Sequence, residues 1–580
     1  MSNHTTHYLA LSIGPVQRTI HRARKTRELW AASFLLSQFM KNLLEGLHSF
    51  GIALSPKFDF DELKNNTTYH GAGIWNDNCF FRIHEDKVER LKKELPGIIQ
   101  GAKSSILDLA LLGLADEKKE NALPFSEGEL RTILSQHFHC HAVLLRRDDG
   151  EKEPILKALG QLTATAQMRK LYPPEHDDFV SAAMFRSRAV RNLYSYGFEK
   201  RDGVFTFYGK SEQEKRLPSL LEIGVREFRG KQVYKEIETI ISAKIKEDDD
   251  LETDEENQAI IQLLKEKDKH GNPLLKKRHK YVAIVQSDGD SVGTLISTEP
   301  NEANITTISK ELMAFSMGAV EEIFKFDALP VYAGGDDLLF ISPLQNKNSE
   351  TVFDLIQNIQ DVFEKQPFLK SQKASLSFGV SVFYYKYPLG ESLEAGRDLL
   401  NKLAKKLAFR KKEETEINPK KGLAFRFMLH SGQSFGAVLR QDGHAWEAWK
   451  ALLAAHNSTA GKDIAFVAGV VHNLERLGWL LDEACANDRA EHFFKQHFNE
   501  AKGEQKQFIE NVRQLAEAIH ADYQELIIAV EDQEKFFRMQ LDLPVDKPLP
   551  DADELRRQYC NNLLYSALRT IKFLNDADHE

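Results

Sequence analysis

Apolar and polar positions along this chain follow two periods, one of two residues and one of three to four. Tyr8 to Ile13 is a short apolar run stopped by G-P-V-Q, and beyond it Leu29, Ala32, Leu36, Met40, Leu43 and Leu47 recur at helical spacing from a helix that begins near Arg18. Trp30 joins that buried stripe. A strand at Cys79 to Ile83, a helix from about Glu85, a second near Lys103 to Leu114 and a strand at Phe138 to Leu145 complete a β-α-β-β-α-β unit. From Arg146 to about Lys280 the pattern is helical and irregular. It then becomes strand-like at Tyr281 to Gln286, helical near Thr307 to Phe326, and strand-like again on both sides of G-G-D-D in V-Y-A-G-G-D-D-L-L-F-I, Val331 to Ile341. A helix near Val352 to Glu364, a strand near Ala374 to Tyr384 and a helix from Leu393 to about Leu407 repeat the first unit's order. After Ala437 no β-patterned segment is evident; helical runs at Ala445 to Ala455, Phe466 to Leu481 and Asn561 to Asn575 predict a bundle with Trp446, Trp449 and Trp479 in its core.

The fold class expected is therefore α+β: two ferredoxin-like palm domains, a helical insert and a helical C-terminal domain. The boundaries are 1–146 for a first palm without G-G-D-D, 147–280 for the insert, 281–436 for the second palm and 437–580 for the helical domain. The acidic run Glu247 to Glu256 reads as a surface loop at the domain boundary.

Composition narrows the function classes. With 42% apolar and 28% charged residues and a formal net charge of -9, nucleic-acid contact must come from local basic patches. Candidates are Arg18, Arg22, Arg24, Lys25 and Arg27, and Arg186, Arg188 and Arg191 ahead of Tyr194 and Tyr196; each set reads equally as a solvated face. The N-terminus lacks the features of a signal peptide and no apolar run approaches a membrane span, so a cytoplasmic chain without membrane contact is expected. Cys79, Cys140, Cys485 and Cys560 form no C-x-x-C pair, which argues against zinc and against a disulfide framework. His137, His139 and His141 share one face if H-F-H-C-H is a strand, where they line a half-exposed edge or hold a transition metal.

The chemistry gathers in the second palm. Gly334 and Gly335 are expected to supply positive φ angles to a tight turn, delivering Asp336 and Asp337 at the start of the return strand. S-D-G-D-S-V-G places Asp288 at the end of the unit's first strand. Hard oxygen ligands at adjoining strand ends suit Mg²⁺ or Mn²⁺ and nucleotide phosphates, so Asp288, Asp336 and Asp337 are the expected catalytic and metal residues. Strand alternation predicts that Asp336 and Asp337 face apart, and Asp290 supports the site or caps the following turn. Nucleotide-binding candidates are Gly289 and Gly293, through backbone N–H groups, with Gly334, Gly335, Ser377 and Lys405; Lys402 and Lys406 are solvated. Asp77 stands alone in W-N-D-N and reads as a turn residue.

Several landmarks carry a resemblance: I-G-P-V-Q with A-R-K-T-R-E-L-W-A-A-S-F-L-L-S (Ile13 to Ser37), L-P-S-L-L-E-I (Leu217 to Ile223), S-D-G-D-S-V-G, Y-A-G-G-D-D-L-L-F, and S-F-G-V-S-V followed by Y-P-L (Ser377 to Leu389). Together they resemble the large polymerase-like subunit of type III-B CRISPR effector complexes. The resemblance implies two palms side by side, the second converting ATP into a signalling nucleotide when the complex binds target RNA. It matches Asp336 and Asp337 to the essential carboxylates, Asp288 to the first-strand carboxylate and Lys405 to the triphosphate-binding lysine. It also implies guide RNA, target RNA and the other subunits as partners. Many members begin with an HD nuclease domain and carry a four-cysteine zinc site; this chain opens at the first palm, and His176-Asp177 has no supporting set, so neither is expected. The product is cyclic oligoadenylate, or AMP joined to S-adenosylmethionine as co-substrate. A non-catalytic scaffold and a G-G-D-E-F-type cyclic dinucleotide synthase are the alternatives.

Overall fold

The computed structural model describes residues 5–59, 68–69, 71–111, 126–148, 151–168, 218–228, 275–409 and 418–576. The basic segment after Arg186, the acidic run 247–256 and His176-Asp177 lie outside the described residues.

The first part contributes β1 (Thr5–Gly14), β2 (Gly51–Ser55), β3 (Thr68–Tyr69), β4 (Ala72–Gly73), β5 (Asn78–Ile83) and β6 (His139–Asp148). Four of these form an antiparallel sheet in the order β2-β5-β1-β6, the split β-α-β arrangement that the pattern predicted. Period-two alternation buries both faces: Leu9, Leu11 and Ile13 pack against the helices Thr26–Leu47 and Val88–Leu111, while Tyr8 and Ala10 pack against the helix Ile155–Gln167. Each such side chain contributes roughly 1.5–3 kcal/mol.

Local chemistry moved several predicted boundaries. The helix expected from Arg18 is two helices, Val16–Ile20 and Thr26–Leu47, because the Glu28 carboxylate accepts from the N–H of Arg24 at 2.7 Å and starts the second one afresh. The two helices expected between Glu85 and Leu114 are one, Val88–Leu111, with Pro96 inside it. A further helix, Glu127–His137, precedes β6 and is capped by Ser126 and Glu129, each side chain bonded to the other's backbone N–H. That helix ends the reading of H-F-H-C-H as one strand. His137 closes the helix, buried against the Thr19 hydroxyl at 2.9 Å, while only His139 and His141 lie on β6.

The second sheet is built from β7 (Tyr281–Asp290), β8 (Leu329–Gly334), β9 (Asp337–Pro343) and β10 (Ser375–Tyr384), in the order β10-β7-β9-β8. This repeats the first sheet's topology. Two-residue strands β11 (Ala408–Phe409) and β12 (Asn418–Pro419) precede β13 (Gly422–Met428) and β14 (Ser434–Arg440), which extend the sheet beyond β10. At the opposite edge β4 pairs parallel with β8 through Gly73 and Tyr332, so a piece of the first unit completes the second unit's sheet.

One face of this sheet, with Val282, Ile284, Val331 and Ile341, packs on Ala23 and Leu29 of the first unit. The other, with Ala283, Val285, Leu338 and Phe340, packs on the helices Glu302–Lys325 and Val352–Glu364. Polar bonds also tie the two units: Ser33 Oγ donates to Val331 O at 2.7 Å and Tyr8 Oη to Glu302 at 2.6 Å.

The region after residue 436 is mainly helical but shares the second sheet's core. β14 crosses the expected boundary, and Tyr559 and Ser566 of the helix Ala552–Asn575 donate to Val438 O and Gly436 O, each at 3.0 Å. A short strand, β15 (Leu526–Ile527), pairs with β11 where no β-pattern was expected. Trp446 and Trp449 are buried, with Trp449 stacked on Phe425 at 5.0 Å; Trp479, expected beside them, is 59% exposed on the helix Gly478–Ala486. No single helix among the described residues is long and apolar enough to cross a membrane, although the pair Ile464–Arg476 and Gly478–Ala486, bent by 75°, has that length and composition jointly.

Candidate functional site

The G-G-D-D turn has two residues, as expected, but is displaced by one position along the chain. Gly334 ends β8 and pairs with Asp337, the first residue of β9, leaving Gly335 and Asp336 as the two turn residues. Only Gly335 has a positive φ, +67°, as at the first central position of a type II′ turn. Gly334 is needed for space: a Cβ there would overlap the Tyr332 hydroxyl. Because Asp336 belongs to the turn, strand alternation does not separate it from Asp337, and both lie within electrostatic reach of Asp288.

Gly289 lies directly against the turn, where a Cβ would come within 2.8 Å of Asp336 Cβ. The gap lets the Asp336 carboxylate accept from the Gly289 N–H beside Asp288. Burial, then the neighbouring Asp288 carboxylate, pushes Asp336 up to about 6. Asp337 stands at the mouth, open to solvent on one side, and crowding by the surrounding protein, then by the Asp336 and Asp288 carboxylates, raises it too.

Among the described residues, the Lys405 ammonium answers this negative charge. The helix Leu389–Asp398 continues as a π-helix, Leu399–Leu403, and a 3₁₀ turn, Ala404–Lys406, and this change of winding aims Lys405 Nζ at Asp288 Oδ2. The same ammonium is 3.4 Å from Gly289 O. Lys402 instead pairs with Asp398 at 2.6 Å and Lys406 with Asp532 at 2.8 Å, away from the cluster.

The first unit enters here. The segment 71–78 is fixed by the bond of Trp30 to Gly71 O, by Ser37 Oγ accepting from Ile74 N and Trp75 N at 3.1 and 3.2 Å, and by Ile13 N donating to Asp77 O at 2.8 Å. It brings Asn76 to the turn, 2.9 Å from where a Cβ on Gly335 would lie. Asp77 is raised by burial, and its charge in turn helps to raise Asp337 and Tyr332. Asp77 is thus a fourth carboxylate facing the site and not an isolated turn residue. The sequence held a signal for it: Asp77 precedes the third strand of its unit as Asp336 and Asp337 precede or open the third strand of theirs.

Other expected residues fall elsewhere. Asp290 caps no turn; it is 3% exposed, and its carboxylate accepts from Ser375 Oγ at 2.8 Å, Ser377 Oγ at 2.9 Å and Lys421 N at 2.8 Å. Ser377 is fully buried in that network and also accepts from Gly422 N at 3.1 Å. Gly293 sits in the helix Val292–Thr298 with nothing within 4 Å of its Cβ position, behind Ser291 in the left-handed region.

The donors at the site are carboxylate oxygens, the chemistry of Mg²⁺ or Mn²⁺ ligation. Among the described residues no three such groups already surround one point. The Lys405 ammonium takes the place on Asp288 that a cation would take. Carboxylate oxygens brought together at one hairpin tip and one strand end are the donor set that a divalent ion takes, so the set fits such an ion.

Residues 281–414 match the family model of the Cas10/Cmr2 second palm domain, and residues 8–113 match that of the CRISPR-associated protein Cmr2 N-terminal region. The two matches cover the chain's second palm and its N-terminal region. The Asp288, Asp336, Asp337 and Lys405 cluster lies wholly within the palm match, and Asp77 within the N-terminal match. The chain is 32% identical over 193 residues to the CRISPR system Cmr subunit Cmr2 of Pyrococcus furiosus, which is 29% of this chain and 21% of that relative's length. Its fold is similar to a chain of the type III-B Cmr-beta complex solved by cryo-EM in the apo state, with a TM-score of 0.55 and 10% identity over 98% of this chain and 82% of that one.

Proposed function

We propose that the chain is a target-RNA-activated nucleotidyltransferase within an RNA-guided antiviral complex, using ATP to make a signalling nucleotide. The observation that carries this reading is the convergence of Asp288, Asp336 and Asp337 on one lysine at the tip of a rigid hairpin. When bound there, Mg²⁺ or Mn²⁺ neutralises phosphate charge and acidifies an attacking hydroxyl. Asp288, Asp336 and Asp337 would hold it, and Lys405, then released from Asp288, would bind the triphosphate. An acceptor hydroxyl attacks the α-phosphorus of ATP, a new P–O ester bond forms, the bond to the β-phosphate oxygen breaks, pyrophosphate leaves and the hydroxyl proton passes to solvent. The acceptor is the ribose of a second ATP, giving cyclic oligoadenylate, or that of S-adenosylmethionine, giving its AMP conjugate. The first palm supplies the acceptor side of the pocket through Asn76 and Asp77. Guide RNA, target RNA and the other type III-B subunits are the partners.

A scaffold has no use for mutually repelling carboxylates held beside one ammonium, and a G-G-D-E-F-type synthase has no use for a second palm at its turn. The test supplies ATP and Mg²⁺, with and without S-adenosylmethionine, to the complex assembled on guide and matching target RNA, and reads products by mass spectrometry. New nucleotide product supports the reading; none in either arm, with normal RNA binding, overturns it.

A further inference from the structure

A second set of residues packs around the turn that carries Lys405. Immediately before β13, Lys420 and Lys421 both have left-handed backbones, φ 73° and 59°, a conformation that side chains other than glycine adopt only when their surroundings compel it. Asp290 supplies part of that compulsion by accepting from Lys421 N, while Lys420 N donates to Leu407 O at 2.6 Å. Ser377 joins the same carboxylate to the next residue by accepting from Gly422 N.

Gly422 is where this network meets the lysine's own turn. A Cβ on Gly422 would overlap Ala404 O and lie 2.7 Å from Ala404 Cα, so the backbone just before Lys405 rests directly on the start of β13. One strand over, Gly379 makes the matching close approach, 2.6 Å from its Cβ position to Leu400 N of the π-helix. The strand ends thus form a bed on which the rewound helix lies, and Asp290 fixes the height of the bed at its Lys405 end.

We infer that Asp290, Ser377 and Gly422 are positioning residues that set the Lys405 ammonium for the triphosphate of a bound nucleotide. The inference rests on the nucleotide-binding role given to Lys405 above. Asp290 shares a strand face with Asp288 but stays outside the metal set, because its carboxylate already serves three protein donors and is buried.

The test is a set of double-mutant cycles on the full chain in its complex. The affinity for the unreactive α,β-methylene analogue of ATP is measured by calorimetry with Mg²⁺ present. Asp290→Asn, Ser377→Ala and Gly422→Ala should each weaken binding about five- to tenfold in the wild-type background and less than about twofold in Lys405→Ala, because each acts through that lysine. The Mg²⁺ concentration for half-maximal product formation should stay within about twofold. Equal losses in both backgrounds overturn the inference, and so does a tenfold rise in the Mg²⁺ requirement of Asp290→Asn, which would make Asp290 a metal ligand. Ser377→Ala leaves the backbone unchanged, so the question is still answered if the other two variants fold poorly. A complex that binds the analogue with these couplings yet makes no product would overturn the proposed activity and leave the positioning role standing.

Discussion

The two palm-like units share one strand order and differ in how they join the second strand to the third. In the second unit β8 and β9 meet through two residues, and Asp336 and Asp337 arrive on a support fixed by pairs on both sides. In the first unit the chain between β2 and β5 makes a long excursion, puts Ala72 and Gly73 into the other unit's sheet, and returns through Asn76 and Asp77. A tight turn concentrates charge at its own tip, whereas an excursion lends charge to a neighbour. The difference teaches that one topology serves here as a charge-bearing half and a complementary half, and the carboxylates gather at the seam between them.

The sharpest break of this comparison is at the hairpin. Replacing Asp336 and Asp337, or Asp288, by Ala should lower nucleotide product by at least about a thousandfold, read by mass spectrometry, while guide and target RNA binding measured in parallel is unchanged. A smaller fall, about ten- to a hundredfold, is expected for Asp77→Asn, since it removes one charge from the complementary side and leaves the hairpin intact. Turnover within twofold of wild type would reduce the first unit to a support.

The third test uses protons. A carboxyl whose folded-state pKa lies near 6, above its unfolded value, binds its proton more tightly when folded, so the stability it gives is full at low pH and falls as pH rises from about 4 to 6. Thermal unfolding in EDTA should show that fall, and Asp336→Asn should flatten it. Added Mg²⁺ should stabilise the wild type more at pH 7 than at pH 5. The smallest effect is expected at the seam: Ser33→Ala removes one buried bond to Val331 O and should cost about 1 kcal/mol in denaturant unfolding.

Much of this was legible in the chain. The bounds of the helix Val352–Glu364 and of β10 match the expectation to within a residue, because strong periodicity and punctuation coincide there. Asp288, Asp336 and Asp337 could be paired because strand ends and turns leave few places for charge. What escaped was set by distance or by packing. Asp77 acquires meaning only from residues far along the chain, and Ser377 was assigned to nucleotide although its strand buries it. The helix Glu127–His137 carries an S-x-x-E capping signal, but the alternating histidines at its end imitate the period of a strand. Trp479 shows that a large apolar residue in a helical run does not declare which way it faces.

The pairing of β4 with β8 also sets a timetable. Ser33 and its partner Val331 are 298 residues apart, and at roughly 5–20 residues per second a ribosome takes some 15–60 s to pass from one to the other. During that interval the first unit waits with Ala23, Leu29 and its small strand uncovered, since the sheet that will cover them has not been made. Apolar surface of the first unit is therefore left without its native cover on the nascent chain for that interval.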